Sequence, residues 1–309
     1  MRKTALIIAA IIECSVFLSK ESSSRTQQGM DICRNWIFCL EDGGYARVFN
    51  FRKPEEGAVA EFALASAQKD NHANNASFGI ETKKGASFPL LYVTVGKPGS
   101  EIDFKCFVES ITRKGKEFSS ELVQTITLDI GGWEEKGYAT IFGAPSWMVD
   151  RARGELWVFS AQKRTIRSVT AHEGDNQYVA TRFRVPALSE GPFVTLGADD
   201  ILDQVIFPFE TWFTQAGCAY DGKIYYCFGL GQMDPSYPSR LRVFDTDSGT
   251  ICAGYELTEQ IPQEMEDVCI HKGRLYVNTN ADPEKSSLNA DIYRLSLPKS
   301  GCGKKNRKN

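Results

Sequence analysis

The sequence predicts an all-β protein that folds as a single β-propeller, with five blades favoured and six as the alternative. The main sign is a repeat in which an apolar stretch, a turn and an aliphatic-aromatic pair recur five times, at intervals of 54, 65, 68 and 51 residues. No long stretch has a helical period, and glycine and proline occur throughout, as a chain of many turns requires. The five repeated pairs are Ile37-Phe38, Leu91-Tyr92, Leu156-Trp157, Ile224-Tyr225 and Leu275-Tyr276.

Each copy reads as a strand, a short turn and a second strand. The cleanest copies are 267–278 and 217–228. Asp221-Gly222 and Lys272-Gly273 stand at their turns, where a tight hairpin needs positive φ angles that glycine adopts readily. These positions therefore predict two-residue hairpins between the first two strands of a blade.

Further strands follow the hairpins, so each copy has the three or four strands of a propeller blade. The segments 47–50 and 242–245 are nearly identical, and 291–295 takes the same place in the last copy. A two-sheet sandwich is the rival all-β fold, but it predicts no internal repeat. If the ring closes, residues near 30–32 should lie beside residues near 267–269.

The two ends of the chain differ in composition from the repeats. Residues 1–23 read as an export signal, with a basic start and an apolar run over 5–18 that is short for a membrane span. The propeller is expected over 24–298, and 299–309 form a basic tail expected to be disordered. The protein is thus expected to be periplasmic or extracellular. Acylation of Cys14 is the alternative, and it would anchor the chain to a membrane surface.

Charge and cysteine content exclude several classes of partner. The formal net charge of −3 does not favour nucleic acid, and the chain is expected to be a monomer. The sequence has three histidines and no Cys-x-x-Cys pair, so no zinc site is expected. Export permits disulfides, and Cys218 and Cys227, which flank one hairpin, are the expected pair. The other cysteines are expected to be buried thiols.

Polar residues at the starts of the innermost strands are the candidate ligand-binding site. Radial symmetry brings equivalent positions to one end of the central channel, where their side chains should be partly accessible. The candidates are Gln28, His72, Asn74, Trp147, Gln215 and Glu266. Trp147 and Trp212 could stack on a sugar. In the alternative interpretation, such residues only bond one another or channel water.

Four acids from the first and last copies, Asp31, Glu264, Glu266 and Asp267, would become neighbours on ring closure. A carboxyl pair could then serve acid-base chemistry, although strand alternation places Glu266 and Asp267 on opposite sides. No cofactor or metal is expected. Calcium is the alternative, held by carboxylates and amides of the channel or by the turn 245–249, which is favoured as an ordinary β-turn.

The segment 264–268, leading into 271–277, resembles a blade opening of exported bacterial propellers. These include the TolB-like and NHL-like groups and the sugar-lactonase relatives, and the chain as a whole resembles secreted propellers of gut Bacteroidetes. In the lactonase relatives a glutamate at this opening helps to bind a metal, a role that by position would fall on Glu266. This chain departs from the pattern, with Asp267 in place of a glycine.

Two functions remain open at the level of sequence. The first is an exported binding or scaffold propeller that recognises a glycan, a peptide or a partner protein at its funnel face. The alternative is a carbohydrate- or lactone-directed hydrolase or lyase that uses funnel carboxylates, although no catalytic residue can be assigned. Convergence in the funnel of two carboxylates, or of a carboxylate with His72, at a spacing compatible with acid-base work would favour the enzyme.

Overall fold

A computed structural model describes residues 13–20, 23–96, 99–163, 176–209, 214–281 and 288–296. In these segments the chain forms 21 strands in five sheets and no α-helix, which confirms the all-β class and a propeller of five blades. The first strand, β1 (Glu13–Ser19), belongs to the fifth blade. Short 3-10 helices lie in the connections, at Pro54–Glu56, Glu134–Lys136, Leu188–Glu190, Ala198–Asp200 and Gly231–Met233.

The first three blades follow one another along the chain. The first contains β2 (Gln27–Cys33), β3 (Trp36–Glu41), β4 (Tyr45–Asn50) and β5 (Ala58–Ala63). The second contains β6 (Asn75–Phe78), β7 (Leu91–Thr94), β8 (Lys105–Lys114) and β9 (Glu117–Leu128). The third contains β10 (Ser146–Asp150), β11 (Glu155–Ala161), β12 (Gln177–Arg184) and β14 (Asp203–Pro208). Between its last two strands, β13 (Phe193–Leu196) adds to the second blade, parallel to β9.

The last two blades complete the ring. The fourth contains β15 (Thr214–Tyr220), β16 (Lys223–Phe228), β17 (Arg240–Asp245) and β18 (Thr250–Glu256). The fifth contains β19 (Glu264–His271), β20 (Arg274–Asn280), β21 (Asp291–Ser296) and, outermost, β1. The repeated aliphatic-aromatic pairs all lie on the second strand of a blade, on β3, β7, β11, β16 and β20.

The innermost strands form a closed ring around the channel. Each of β2, β6, β10 and β15 contacts the inner strand of the next blade, and β19 contacts β2. The main-chain N–H of Met30 donates to the Asp267 carboxylate at 2.9 Å across this junction. The predicted closure between the first and last copies is therefore confirmed.

The predicted hairpin turns are also confirmed. Both central residues of each turn have positive φ, at 48° and 72° for Asp221 and Gly222 and at 50° and 72° for Lys272 and Gly273. Positive φ at both positions is typical of the two-residue turns whose twist matches that of the flanking strands.

The apolar core is divided among the five junctions between neighbouring blades. Between the first and second blades, for example, the ring of Phe38 lies 5.1 Å from those of Phe78 and Phe88, edge to face in both cases. Large side chains of this kind bury most of the apolar area that holds adjacent blades together.

The strand β1 extends the propeller beyond its predicted start at residue 24. It runs antiparallel to β21, and Phe17 packs 5.1 Å from the rings of Phe51 and Tyr276. Leu18 is buried in the same cluster between the fifth and first blades. This strand lies within residues 1–23, whose role as an export signal stays a prediction. The tail 299–309 lies outside the described residues.

The expected disulfide between Cys218 and Cys227 is wrong, because both are free thiols. The strand register explains this result, since Cys218 lies opposite Tyr225 and Cys227 lies opposite Leu241 on the next strand. Cys252 is disulfide-bonded, so the expectation of a buried thiol is wrong at this position.

Replacing Leu18 tests whether β1 closes the fifth blade. The Leu18→Ala change in the full chain should reduce the free energy of unfolding by about 2–5 kcal/mol, because it leaves a cavity in a packed cluster. Val16→Ala is the matched control, since Val16 is 51% exposed on the same strand and should change stability by less than about 0.5 kcal/mol. Urea denaturation measures both, and an unaltered Leu18→Ala variant would exclude β1 from the folded protein.

Candidate functional site at the channel mouth

Three inner strands carry β-bulges at the end of the channel where these strands begin, which we call the channel mouth. Pairing with the second strand of the blade loses register at Gln28 in β2, at Gln215 in β15 and at Glu266 in β19. The inner strands β6 and β10 pair regularly. A bulge breaks the alternation of side chains and re-aims them, and bulges are frequent next to functional sites. The irregular side of the mouth is thus formed by the fourth, fifth and first blades.

Two carboxyl groups meet at this side of the mouth. Glu264, the half-buried first residue of β19, accepts a hydrogen bond from the Gln215 amide at 2.6 Å and one from the Asn280 amide at 3.4 Å. Glu266 lies two positions along the same strand and is buried. Burial, followed by the charge of Glu264, raises the pKa of Glu266 well above its ordinary value. Burial beside a second carboxyl therefore favours the protonated form of Glu266.

Below the acid pair, the centre of the channel is filled by Asp267. One oxygen of its carboxylate accepts the main-chain N–H groups of Met30 and Ala76, at 2.9 and 3.2 Å. The other accepts the Asn75 amide at 3.0 Å, and this amide also donates to the Gly217 carbonyl at 2.7 Å. Burial raises the pKa of Asp267, and its donors oppose that shift. Asp267 therefore joins strands of four blades, and the hydrogen bonds of its carboxylate serve the fold.

Asp31 lies apart from the acid pair, toward the opposite end of the channel. It accepts the main-chain N–H groups of Ile32 at 2.6 Å and Phe78 at 2.7 Å, and Arg151 approaches it at 3.5 Å. Of the four acids expected to cluster, the structure thus brings together Glu264 and Glu266 and gives Asp31 and Asp267 other partners.

Three of the six predicted site residues meet around the acid pair. Gln215 bonds Glu264, Glu266 lies two positions from Glu264 on β19, and the main-chain carbonyl of Gln28 accepts the Asn278 amide at 2.5 Å. The side-chain oxygen of Gln28 is buried and has no hydrogen-bond partner among the residues that the structure describes. The expectation of partial accessibility is wrong for Gln28 and Glu266, which are 2% and 3% exposed.

The other three predicted residues lie elsewhere. Trp147 is fully buried in the apolar cluster between the second and third blades, because regular pairing of β10 turns its side chain into the core. Asn74 lies against the backbone of Gly96. His72 is partly exposed, with its Nδ1 atom 2.8 Å from the Asp42 carboxylate. Trp212 lies outside the described residues. Participation of these side chains in ligand binding stays a prediction.

Sequence reasoning missed two parts of the mouth. Lys20 follows β1, and its ammonium is buried beside the mouth, where it donates to the Asn278 side chain at 2.6 Å. No sequence signal pointed to Lys20, because it lay in the segment interpreted as an export signal. A cleft of about 100 Å³ adjoins Glu264 through Asn280 and is also lined by Gln232, Met233, Pro262, Gln263, Ala281 and Leu288. The polar run 278–280, after an apolar strand, was a readable sign of this side of the mouth.

In the turn 245–249, the alternative calcium site, the first carboxylate bonds the main chain of the turn itself. Asp245 accepts the main-chain N–H groups of Asp247 and Ser248 at 3.0 and 3.1 Å, as in an ordinary side-chain-capped turn. Within the described segments, no group of three or more His, Cys, Asp or Glu side chains is placed to hold a metal ion. None of the helices in those segments is long and apolar enough to cross a membrane.

Comparison with known proteins bears on the fold alone. No family model and no curated protein matches the sequence. The tail fiber of Staphylococcus aureus phage P68 superposes with a TM-score of 0.51 at 12% identity, over 92% of this chain and 53% of the fiber chain. This chain thus spans about half the length of that fiber. The glutaminyl cyclase of Myxococcus xanthus gives a TM-score of 0.49 at 13% identity, over 94% of this chain and 96% of the cyclase chain.

The raised pKa of Glu266 predicts a specific dependence of stability on pH. The folded state holds this proton more tightly than the unfolded chain, so the contribution is present below the ordinary pKa of 4.5 and is lost as pH rises toward the folded value. Glu266→Gln imitates the protonated carboxyl and should therefore keep this contribution to stability as the pH rises. The melting temperature of this variant, relative to wild type, should therefore increase as the pH is raised above about 4.5.

Melting temperatures of Glu266→Gln and of wild type, determined from pH 4 to pH 9, test this prediction. Other buried acids, such as Asp31 and Asp267, are present in both proteins and cancel in the difference. Glu117→Gln, at an exposed position of β9, is the control and should follow wild type at every pH. A constant difference between Glu266→Gln and wild type would mean that Glu266 has an ordinary pKa.

Proposed function

We propose that this protein is an exported binding propeller whose ligand contacts the channel mouth at Glu264. The observation that carries the proposal is the half-buried Glu264 carboxyl, which is held by Gln215 and by Asn280, a residue that also lines a small cleft. Polar groups that converge beside a concave surface are the usual composition of a ligand site. The filled centre of the channel restricts such a ligand to the mouth.

The chemistry of the mouth favours a ligand with hydroxyl or amino groups. Glu264, Glu266, Gln215 and Asn280 supply carboxyl and amide oxygens, and the acid pair carries negative charge when it holds a single proton. Lys20, the buried cation of this region, already has three acceptors. A glycan, or a peptide or partner protein that presents an amino group, is therefore favoured over a phosphate or a carboxylate ligand.

Export remains part of the proposal and has a structural condition. It is supported by the basic and apolar start of residues 1–23, and it would place the protein in the periplasm or outside the cell. Cleavage after Ser19 would remove β1 from the fifth blade, whereas cleavage before Cys14 would leave 14–19 in place. The acylated, surface-anchored form is thus compatible with a complete fifth blade, as is export without removal of β1.

Glu264→Gln tests the binding function. Wild-type protein is screened by thermal shift against neutral oligosaccharides and against peptides with free amino termini, since binding to the native state raises the melting temperature. For a ligand found in this way, the variant should bind about 10- to 100-fold more weakly, because a hydrogen bond to a charged group is lost. Glu117→Gln should bind as wild type does. Equal affinities of all three proteins for the ligand would remove Glu264 from the site.

The enzymatic alternative is favoured by one feature, the raised pKa of the buried Glu266 near Glu264. A carboxyl that keeps its proton at a higher pH is suited to general acid catalysis. However, both carboxyls of a glycosidase must reach the scissile bond of the substrate. Glu266 is 3% exposed, which leaves a substrate little access to it. For these reasons, binding is the preferred function.

Hydrolysis assays separate the two functions. Wild type and Glu266→Gln are incubated with chromogenic glycosides and with lactones, and release of product is followed. On the binding proposal, both proteins leave the substrates at the background rate. Turnover by wild type that falls by about 10²- to 10⁴-fold in Glu266→Gln would establish the enzyme instead, because that range is typical of a lost general acid.

A further inference from the structure

Lys20 crosses from the outer edge of the fifth blade to the channel mouth. It follows β1, and its main-chain N–H donates to the Ala290 carbonyl at 3.1 Å. Its ammonium is 3% exposed and donates to the side chains of Gln27 at 3.1 Å and Asn278 at 2.6 Å, and to the Thr279 carbonyl at 3.2 Å. Three acceptors satisfy the three N–H groups of an ammonium, so the site is built for the charged form of lysine.

The acceptors of Lys20 surround the bulge that carries Glu266. In the pairing of β19 with β20, Thr279 lies opposite Met265 and Asn278 lies opposite Asp267, so Glu266 is the extra residue between them. Asn278 also donates to the Gln28 carbonyl in the bulge of β2. Lys20 therefore bonds the two residues of β20 that flank the position of the buried carboxyl.

We propose that Lys20 is a positioning residue of the channel mouth, which supplies the counter-charge of the Glu264–Glu266 acid pair, so that the N-terminal strand is a working part of the site. This inference rests on the acid pair being the site of the proposed function. It extends that function by making the protonation of the mouth depend on a segment more than 240 residues away in the chain.

Lys20 is a cation shared between two sets of acids, with Glu266 in one and Asp291 and Glu41 in the other. Burial and the charges of Glu264 and Asp267 raise the pKa of Glu266, and Lys20 is the cation that opposes them. The pKa of Lys20 is itself lowered by burial and by Arg47, whereas Cys39, Asp291 and Glu41 raise it. Arg47 is engaged with the carboxylates of Glu41 and Glu61.

Lys20→Met tests the proposal without any ligand. The chain is labelled with ¹³C-glutamate, and the titration of the Glu266 carboxyl is followed by NMR, with Glu266→Gln used to assign its signal. In Lys20→Met the midpoint should move to higher pH by roughly one pH unit or more, because a nearby opposite charge has been removed. Lys20→Arg keeps the charge and should stay near wild type.

Ser19→Ala is the matched control for structure. The Ser19 hydroxyl, next to Lys20 in the chain, donates to the Asp291 carboxylate at 2.6 Å. Ser19→Ala removes this hydrogen bond and keeps the charge of Lys20, so it should lower stability without moving the titration midpoint of Glu266. If Lys20→Met does not fold, Lys20→Gln carries the test, since its amide can still donate to Asn278 and Thr279. A midpoint equal to that of wild type in the neutral variant overturns the proposal.

The outcome of the binding experiment is independent of the outcome of the NMR titration. If the Glu266 midpoint moves to higher pH in Lys20→Met as expected, while Glu264→Gln binds the ligand as wild type does, the counter-charge is supported and the binding site is rejected. An unmoved midpoint together with weakened binding in Glu264→Gln would retain the binding site and remove Lys20 from it.

Discussion

The closed ring depends on the hydrogen bonds of one buried carboxylate. Asp267 of the fifth blade accepts the Met30 N–H of the first blade and the Asn75 amide of the second, and that amide also bonds the Gly217 carbonyl of the fourth. Each buried donor left without its acceptor would cost about 1–3 kcal/mol. The residue at this position therefore joins four inner strands at the point where the blades come closest, and it fills the space through which a ligand would otherwise pass.

The position of Asp267 also shapes the channel mouth. Because Asp267 pairs opposite Asn278, and Met265 pairs opposite Thr279, Glu266 is left as the extra residue of a bulge. Its side chain is then buried, whereas that of Glu264, two positions before it, is half-buried at the start of the strand. Neighbouring acids on one strand thus have different tasks, since Asp267 holds the blades together and Glu264 and Glu266 lie at the mouth.

Much of the fold could be predicted from local patterns, and less of the site. The repeated pairs marked the second strand of every blade, and glycine at 222 and 273 marked hairpins, because both signals need only a few consecutive residues. Equivalent positions on the inner strands were expected to face a common funnel. Gln28, Gln215 and Glu266 came together at the mouth, but Trp147 turned into the core, since side-chain direction depends on cross-strand register and bulges that a single sequence does not display.

The sequence by itself determined the all-β class, the ring closure and the polar composition of the inner-strand starts, and it favoured five blades over six, since strand period, turn chemistry and repeat length are local properties. Only the tertiary structure decided that 13–19 complete the fifth blade, that Lys20 bonds Asn278 across 258 positions, and that Glu266 is buried near Glu264 with a raised pKa. It also decided that Cys218 and Cys227 do not pair. The physical reason is the same in each case: these contacts are set by ring closure and by the register of strands, which bring together groups whose neighbours along the chain carry no record of their partners.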